Sequence, residues 1–173
     1  METHKICSFF GHRKIEENKE LKQRVKECVE ELIVKYGVQR FLFGSRSEFN
    51  DLCHLVVSEL KEKYPKIKRI CYTCKSEGCV LEVEREEREK IYSRVLKREI
   101  HLLGFEEEFE HKTKYEAGRA SYVERNQAMI NDSDYCVFYY DKNYFPLTRT
   151  KSGTKLAYEY AVRKKKSVIN LFK

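Results

Sequence analysis

The sequence predicts an α/β fold of Rossmann-like type, with a mainly parallel sheet of about five strands and helices on both faces. Two observations carry this. Short apolar runs end on glycine, at residues 6–10 before Gly11 and residues 41–43 before Gly44, as buried strands do when they deliver the chain into a tight turn. Between the runs lie stretches with apolar residues at every third or fourth position, the period of an amphipathic helix. Strands separated by single helices indicate βαβ units, because parallel neighbours need a crossover of about a dozen residues or more.

The elements follow in order. After the first strand, Leu21, Val25, Cys28, Leu32 and Tyr36 fall at helical spacing, with Asn18 as N-cap and Gly37 as stop. The second strand leads to Phe49, Leu52, Val56, Leu60 and Tyr64, a second helical face that ends at Pro65. A third strand is expected over residues 67–72. Residues 75–118 are rich in Glu, Lys and Arg and read as a charged helical insertion, with a helix around 86–102. The alternation then resumes with a helix at 122–131, a strand at 135–140, a helix from about 153 to 163 and a last strand at 168–171.

The 173 residues suit one compact domain. With 41% hydrophobic and 36% charged residues, only two prolines and seven glycines, the composition belongs to a folded chain rather than a disordered one. No apolar run approaches the roughly 20 residues of a membrane span, and the first residues lack the apolar core of a secretory signal, so a cytoplasmic protein without membrane contact is expected. The seven cysteines are odd in number, and Cys7, Cys28, Cys53 and Cys136 sit within apolar runs, where a reduced thiol packs as a small hydrophobe. The formal charge is +7, and residues 149–166 hold seven Lys or Arg against one Glu. That asymmetry points to an anionic partner. Equally, Arg163-Lys164-Lys165-Lys166 would close a helix at the end of its dipole that favours cations.

In open parallel sheets, ligands bind beyond the carboxyl ends of the strands, where helix N-termini present their positive ends. The loops expected there carry Gly11-His12-Arg13, Gly44-Ser45-Arg46, Asp141 and Ser152-Gly153-Thr154. Glycine lets backbone N–H groups approach a phosphate, hydroxyls donate to its oxygens, and Arg13 and Arg46 can form charge-assisted pairs with it. Each motif also has a plain structural role, since Ser152 or Thr154 can cap a helix and Gly11 or Gly44 can turn a strand. Their common place at strand ends is what favours a ligand-binding set. His12 stands where a general base would be useful, and equally where a turn residue would be. Cys71, Cys74 and Cys79, with His101 and His111 beyond, invite a zinc reading. A second pair at matching spacing is missing and Cys71 belongs to a strand, so no metal and no other cofactor is expected.

Phe10-Gly11-His12-Arg13, Gly44 with Asp51, Tyr122-x-Glu124-Arg125-Asn126-x-x-Met129-Ile130 with Ser133-Asp134, and Lys151-Ser152-Gly153-Thr154-x-x-Ala157-x-x-Tyr160-Ala161 together resemble the SLOG superfamily. The form is that of the small stand-alone SLOG proteins of Firmicutes, a bacterial or phage protein, with residues 1–173 as one domain. The resemblance implies a Rossmann-like fold whose glycine-containing loops bind nucleotides or nucleotide derivatives, ADP-ribose-like signals among them, and it places Arg125 and Asn126 at the ligand. The superfamily also includes the LOG phosphoribohydrolases and the DNA-processing protein A group, which binds single-stranded DNA.

The expected function is therefore binding of a nucleotide-type phosphate ligand, as a sensor or carrier. One alternative is an N-glycosidase acting on nucleoside 5'-monophosphates, for which Arg125 resembles the family's catalytic arginine and Glu124 or Asp141 would supply the carboxylate. The LOG enzymes place a glutamate just after their glycine-rich turn, where this sequence has Lys155 and Leu156. The other alternative is a single-stranded nucleic-acid partner along residues 149–166, with Tyr158 and Tyr160 beside the cations. A homo-oligomer is compatible with any of the three.

Overall fold

The computed structural model describes residues 4–16, 18–44, 47–74, 86–87, 90, 104–112, 114, 118–144 and 152–173. In chain order the elements are β1 (Lys5–Gly11), α1 (Lys19–Val34), β2 (Val38–Phe43), α2 (Glu48–Lys63), β3 (Lys68–Cys74), β4 (Glu107–His111), α3 (Arg119–Asp132), β5 (Tyr135–Tyr139), α4 (Gly153–Arg163) and β6 (Ser167–Asn170). The strands form one sheet in the order β4-β3-β2-β1-β5-β6, and every neighbouring pair is parallel. This is the Rossmann-like α/β architecture expected from the sequence.

From β1 the winding runs outward through β2 and β3 to β4, then returns to β5 on the other side of β1. The winding reverses between β1 and β5, and beyond the carboxyl ends of the strands at such a reversal is where sheets of this kind bind ligands. Alternation along the central strands supplies two cores. Cys7, Phe9, Phe41, Phe43 and Val137 face α1 and α2, where they meet Val25, Val29, Phe49 and Val56. Phe10, Leu42, Cys136 and Phe138 face α3 and α4, where they meet Met129, Ile130, Ala157 and Ala161. The two alanines lie one helical turn apart on α4, and Tyr158 of the same helix meets the Phe138 ring at 5.2 Å.

Local signals set the helix limits. Asn18 Oδ1 accepts from Leu21 N at 2.7 Å and starts α1. Gly37 follows that helix at φ +71°, a conformation that would strain an L side chain. Ser47 Oγ and Ser152 Oγ accept from Asn50 N and Lys155 N, both at 3.1 Å, and cap α2 and α4.

Among the described residues the sheet has six strands, one more than the apolar runs mark out. Residues 107–111, expected within a charged helical insertion, form β4 in parallel register with β3, from Ile70 opposite Glu107 to Cys74 opposite His111. The sequence there, Glu-Glu-Phe-Glu-His, lacks the apolar run of a buried strand because β4 is an edge, and charged residues are how edges avoid further pairing. Glu107 is held by Arg40 at 2.8 Å and Lys68 at 2.9 Å, and the Phe109 ring packs on Tyr72 at 4.9 Å. The helix expected around 86–102 falls largely outside the described residues.

None of the six described cysteines is in a disulfide. Burial pushes the thiols of Cys7 and Cys53 well above their usual pKa and those of Cys28 and Cys136 up to about 11, which leaves them unreactive hydrophobes. Among the described residues no group of three His, Cys, Asp or Glu is placed to hold a metal ion, while Cys79 and His101 lie outside those residues. No described helix is long and apolar enough to cross a membrane.

Candidate ligand-binding site

Gly11 stands opposite Tyr139 in the β1–β5 register, so His12 and Tyr140 leave the sheet side by side. His12 is 7% exposed, and its Nε2 accepts from Asp141 N at 2.9 Å. A ring nitrogen that accepts carries no hydrogen, so the neutral imidazole bears its proton on Nδ1. Burial lowers the pKa of His12, against an opposing pull from Asp141. His12 thus ties the β1 and β5 loops together and has an N–H donor left, rather than acting as a base through Nε2.

A pH dependence follows. The folded pKa lies below the unfolded one, so between the two the unfolded chain binds more protons and stability rises with pH. The contribution of His12 is complete above about pH 6.5 and is lost as pH falls through the folded value. Urea midpoints measured from pH 7.5 down to 5 should fall less steeply in His12→Gln, whose amide oxygen can still accept from Asp141 N, than in the wild type.

The glycines divide by what surrounds them. A Cβ on Gly11 would meet Phe49 Cβ and Cδ1 at 2.5 Å, and one on Gly44 would meet Met129 Sδ at 2.7 Å and Tyr72 O at 3.0 Å. A side chain at residue 11 would therefore collide with α2, and one at residue 44 would crowd the β3 backbone and Met129, whatever the two glycines do for a ligand. At Gly153, among the described residues, nothing lies within 4 Å of the Cβ position. The described packing makes no demand for a glycine there.

The helix N-termini divide in the same way. The first turn of α2 carries Glu48 and Asp51, and its Glu48 N–H is taken by Arg13 O at 2.9 Å while Glu48 Oε2 accepts from Ile15 N at 2.8 Å. The β1 loop thus docks on α2 and fills a position an anion would need, with the exposed Arg13 side chain on its rim. The first turn of α1 carries Glu20. The first turn of α4 has no acidic residue and holds Lys155, a cation that a helix N-terminus disfavours unless an anion is present. Ser152 Oγ uses a lone pair to cap α4 and keeps its O–H to donate, and Thr154 is buried beside it.

Arg125 is 3% exposed. Its Nη1 lies 3.8 Å from Cys74 Sγ, its Nη2 donates to Asn126 Oδ1 at 3.4 Å, and its guanidinium stands 5.2 Å from the Tyr122 ring centroid. A Cβ on Gly44 would come within 3.1 Å of its Nε, so Arg125 fills the space beside Gly44 at the ends of β2 and β3. Glu124 turns elsewhere and accepts from Lys114 N at 2.6 Å. Asn126 lines a depression of about 10 Å³ with Gly153, Leu156 and Ala157. The structure thus joins His12 with Asp141, Gly44 with Arg125, and Asn126 with Gly153. Ser45 and Arg46 lie outside the described residues.

Sequence reasoning missed the partners that position these groups. Phe49 and Glu48 hold the β1 loop, and Tyr144 rests on His12 with ring centroids 4.4 Å apart. Phe49 was legible as a core residue, but only its fit against Gly11 reveals this second role. The basic stretch at 149–166 also divides. Because α4 runs from the carboxyl edge of β5 to the start of β6, Arg163-Lys164-Lys165-Lys166 stand at the sheet edge opposite Ser152-Gly153-Thr154.

Among solved structures, the chain is similar to DNA processing protein A from Helicobacter pylori, whose structure concerns its single-stranded DNA binding mode. The TM-score is 0.56 and the identity 16%, over 95% of this chain and 63% of that one. At that identity the likeness is one of fold, and the chain spans 63% of the other protein's length. No curated protein matches. The profile of the YpsA family, described as YspA SLOG, matches residues 4–172, which takes in every described loop of the site, and the chain belongs to this SLOG family.

Proposed function

We propose that this SLOG protein binds a nucleotide or nucleotide-derived phosphate, of ADP-ribose-like kind, beyond the carboxyl ends of β1 and β5, and serves as a sensor or carrier of that ligand. The observation that carries the reading is Gly153. It opens α4 with no neighbour at its Cβ position among the described residues, in a helix turn free of acidic side chains. A glycine that packing does not require leaves room for a phosphate at the backbone N–H groups. Ser152, Thr154 and Lys155 supply hydroxyls and charge, Asn126 adjoins them, and His12 offers its remaining N–H.

The phosphoribohydrolase alternative has less support, because Glu124 turns to Lys114 while Arg125 turns to Cys74 and Gly44. Single-stranded DNA is favoured by the likeness to DNA processing protein A and by the basic turn after α4, where Arg163 and Lys164 stand 5.1 and 5.5 Å from the Tyr160 ring centroid. Calorimetric titration with AMP, ADP-ribose, cyclic ADP-ribose isomers and oligodeoxythymidylate separates the readings. A nucleotide should bind, and Gly153→Leu should weaken it roughly tenfold or more while the thermal unfolding midpoint stays in place, since leucine is a good helix former in open space. Binding of the oligonucleotide alone would transfer the function to the basic turn, and free base released from AMP would restore the enzyme.

A further inference from the structure

We propose that Tyr144 is a stacking platform for an aromatic base, so that the ligand is a nucleotide with its base laid over the β5 loop rather than a bare sugar phosphate. The inference rests on the phosphate-binding reading of the α4 N-terminus and adds the chemistry of the rest of the ligand.

Aromatic rings rise in a column from the core to the carboxyl edge. Phe138 meets Tyr158 at 5.2 Å, Tyr158 meets Tyr140 at 4.8 Å, Tyr140 meets His12 at 6.1 Å, and His12 meets Tyr144 at 4.4 Å with a tilt of 35°. Tyr140 and His12 are each 7% exposed, whereas Tyr144, the outermost ring, is 50% exposed. One side of it rests on imidazole, and half of the residue is exposed. Four other large apolar or aromatic residues among those described are comparably exposed. Val34 and Tyr36 stand at the end of α1, Val162 in the last turn of α4 and Phe109 on the edge strand β4. Tyr144 alone of the five stands beyond the ends of β1 and β5.

The turn that carries the ring is also held in place. Tyr144 N donates to Asp141 O at 3.1 Å, Asn143 N donates to Asp141 Oδ1 at 2.8 Å, and Asp141 N donates to His12 Nε2 at 2.9 Å. A turn fixed by three such bonds has already lost much of the freedom that docking would otherwise cost it. Every nucleobase offers a flat π-face to such a ring, and a base stacked on an aromatic side chain loses roughly 5- to 150-fold in affinity when that side chain is cut to alanine. A sugar phosphate without a base gains nothing from it.

Calorimetry with AMP, GMP, CMP, ribose 5-phosphate and inorganic phosphate tests the assignment on wild type, Tyr144→Ala, Tyr144→Phe and Gly153→Leu. The wild type should bind the nucleotides more tightly than ribose 5-phosphate. Tyr144→Ala should bring the nucleotides down to the level of ribose 5-phosphate and leave ribose 5-phosphate itself unchanged, and Tyr144→Phe should restore the difference. Loss of ribose 5-phosphate binding in Tyr144→Ala would mean that the ring merely props the loop, and it would overturn the proposal. Wild-type nucleotide affinity in Tyr144→Ala, with Gly153→Leu still weakened, would overturn the base platform and leave the phosphate site standing. No binding of any probe, or no effect of Gly153→Leu, would remove both.

Discussion

Gly11→Ala is expected to lower the unfolding free energy by about 3 kcal/mol, the upper end of the range for adding a methyl group to a close-packed core. The new Cβ would lie 2.5 Å from Phe49 Cβ and Cδ1 and 2.6 Å from Cγ. A contact with the far end of a flexible side chain can be relieved by rotation, but Phe49 Cβ is fixed to the backbone of the first turn of α2. Relief therefore requires α2 to move from β1. That movement would loosen the bond from Glu48 N to Arg13 O and the one from Ile15 N to the Glu48 carboxylate, which tie the β1 loop to the helix. Urea denaturation followed by far-UV circular dichroism reads the stability loss. Phe49→Leu keeps the Cβ and should not rescue the variant. If Gly11→Ala unfolds like the wild type, the account of Gly11 as a packing glycine is wrong and its place in the loop is open to a ligand role alone.

Most of this architecture was legible because the central strands and their helices announce themselves by apolar spacing. The runs ending at Gly11 and Gly44, the face from Leu21 to Leu32, and the Asn18 and Gly37 signals all mark real elements. β4 was not legible, because an edge strand takes its place from backbone pairing with β3 and from the pairs of Glu107 with Arg40 and Lys68, which leave no apolar pattern behind. At the candidate site, residue type singled out Gly11, Gly44 and Gly153 but not what surrounds them. Two of the three are closely packed, Gly11 against Phe49 and Gly44 against Met129 and the Tyr72 carbonyl, neighbours distant in the sequence that chain order hides. His12 shows the same limit, since its partner Asp141 lies 129 positions away in the sequence and only that bond reveals which ring nitrogen carries the proton.

Phe138→Ala should have the largest effect of all, a loss of about 4 kcal/mol within the range seen for buried phenylalanine truncations. The ring is 0% exposed, stacked on Phe10 at 5.2 Å and met edge-on by Tyr158 at 5.2 Å, at the centre of the face that seats α3 and α4. The cost of such a truncation depends on how far the neighbours collapse into the space. Here α4 presents Ala157 and Ala161 to the sheet, side chains too short to fill it, and Phe10 is held by its own strand. Phe138→Leu, which keeps most of the volume and loses the two ring contacts, should cost roughly 1.5 kcal/mol. The urea midpoint of the alanine variant should drop well below that of the leucine variant with the slope of the transition unchanged. Equal midpoints would mean that Tyr158 swings inward and closes the gap. Because α4 carries Ser152, Gly153 and Thr154 at its start, the same alanine variant should also weaken binding of the proposed phosphate ligand: a helix N-terminus is only as well placed as the core beneath the helix.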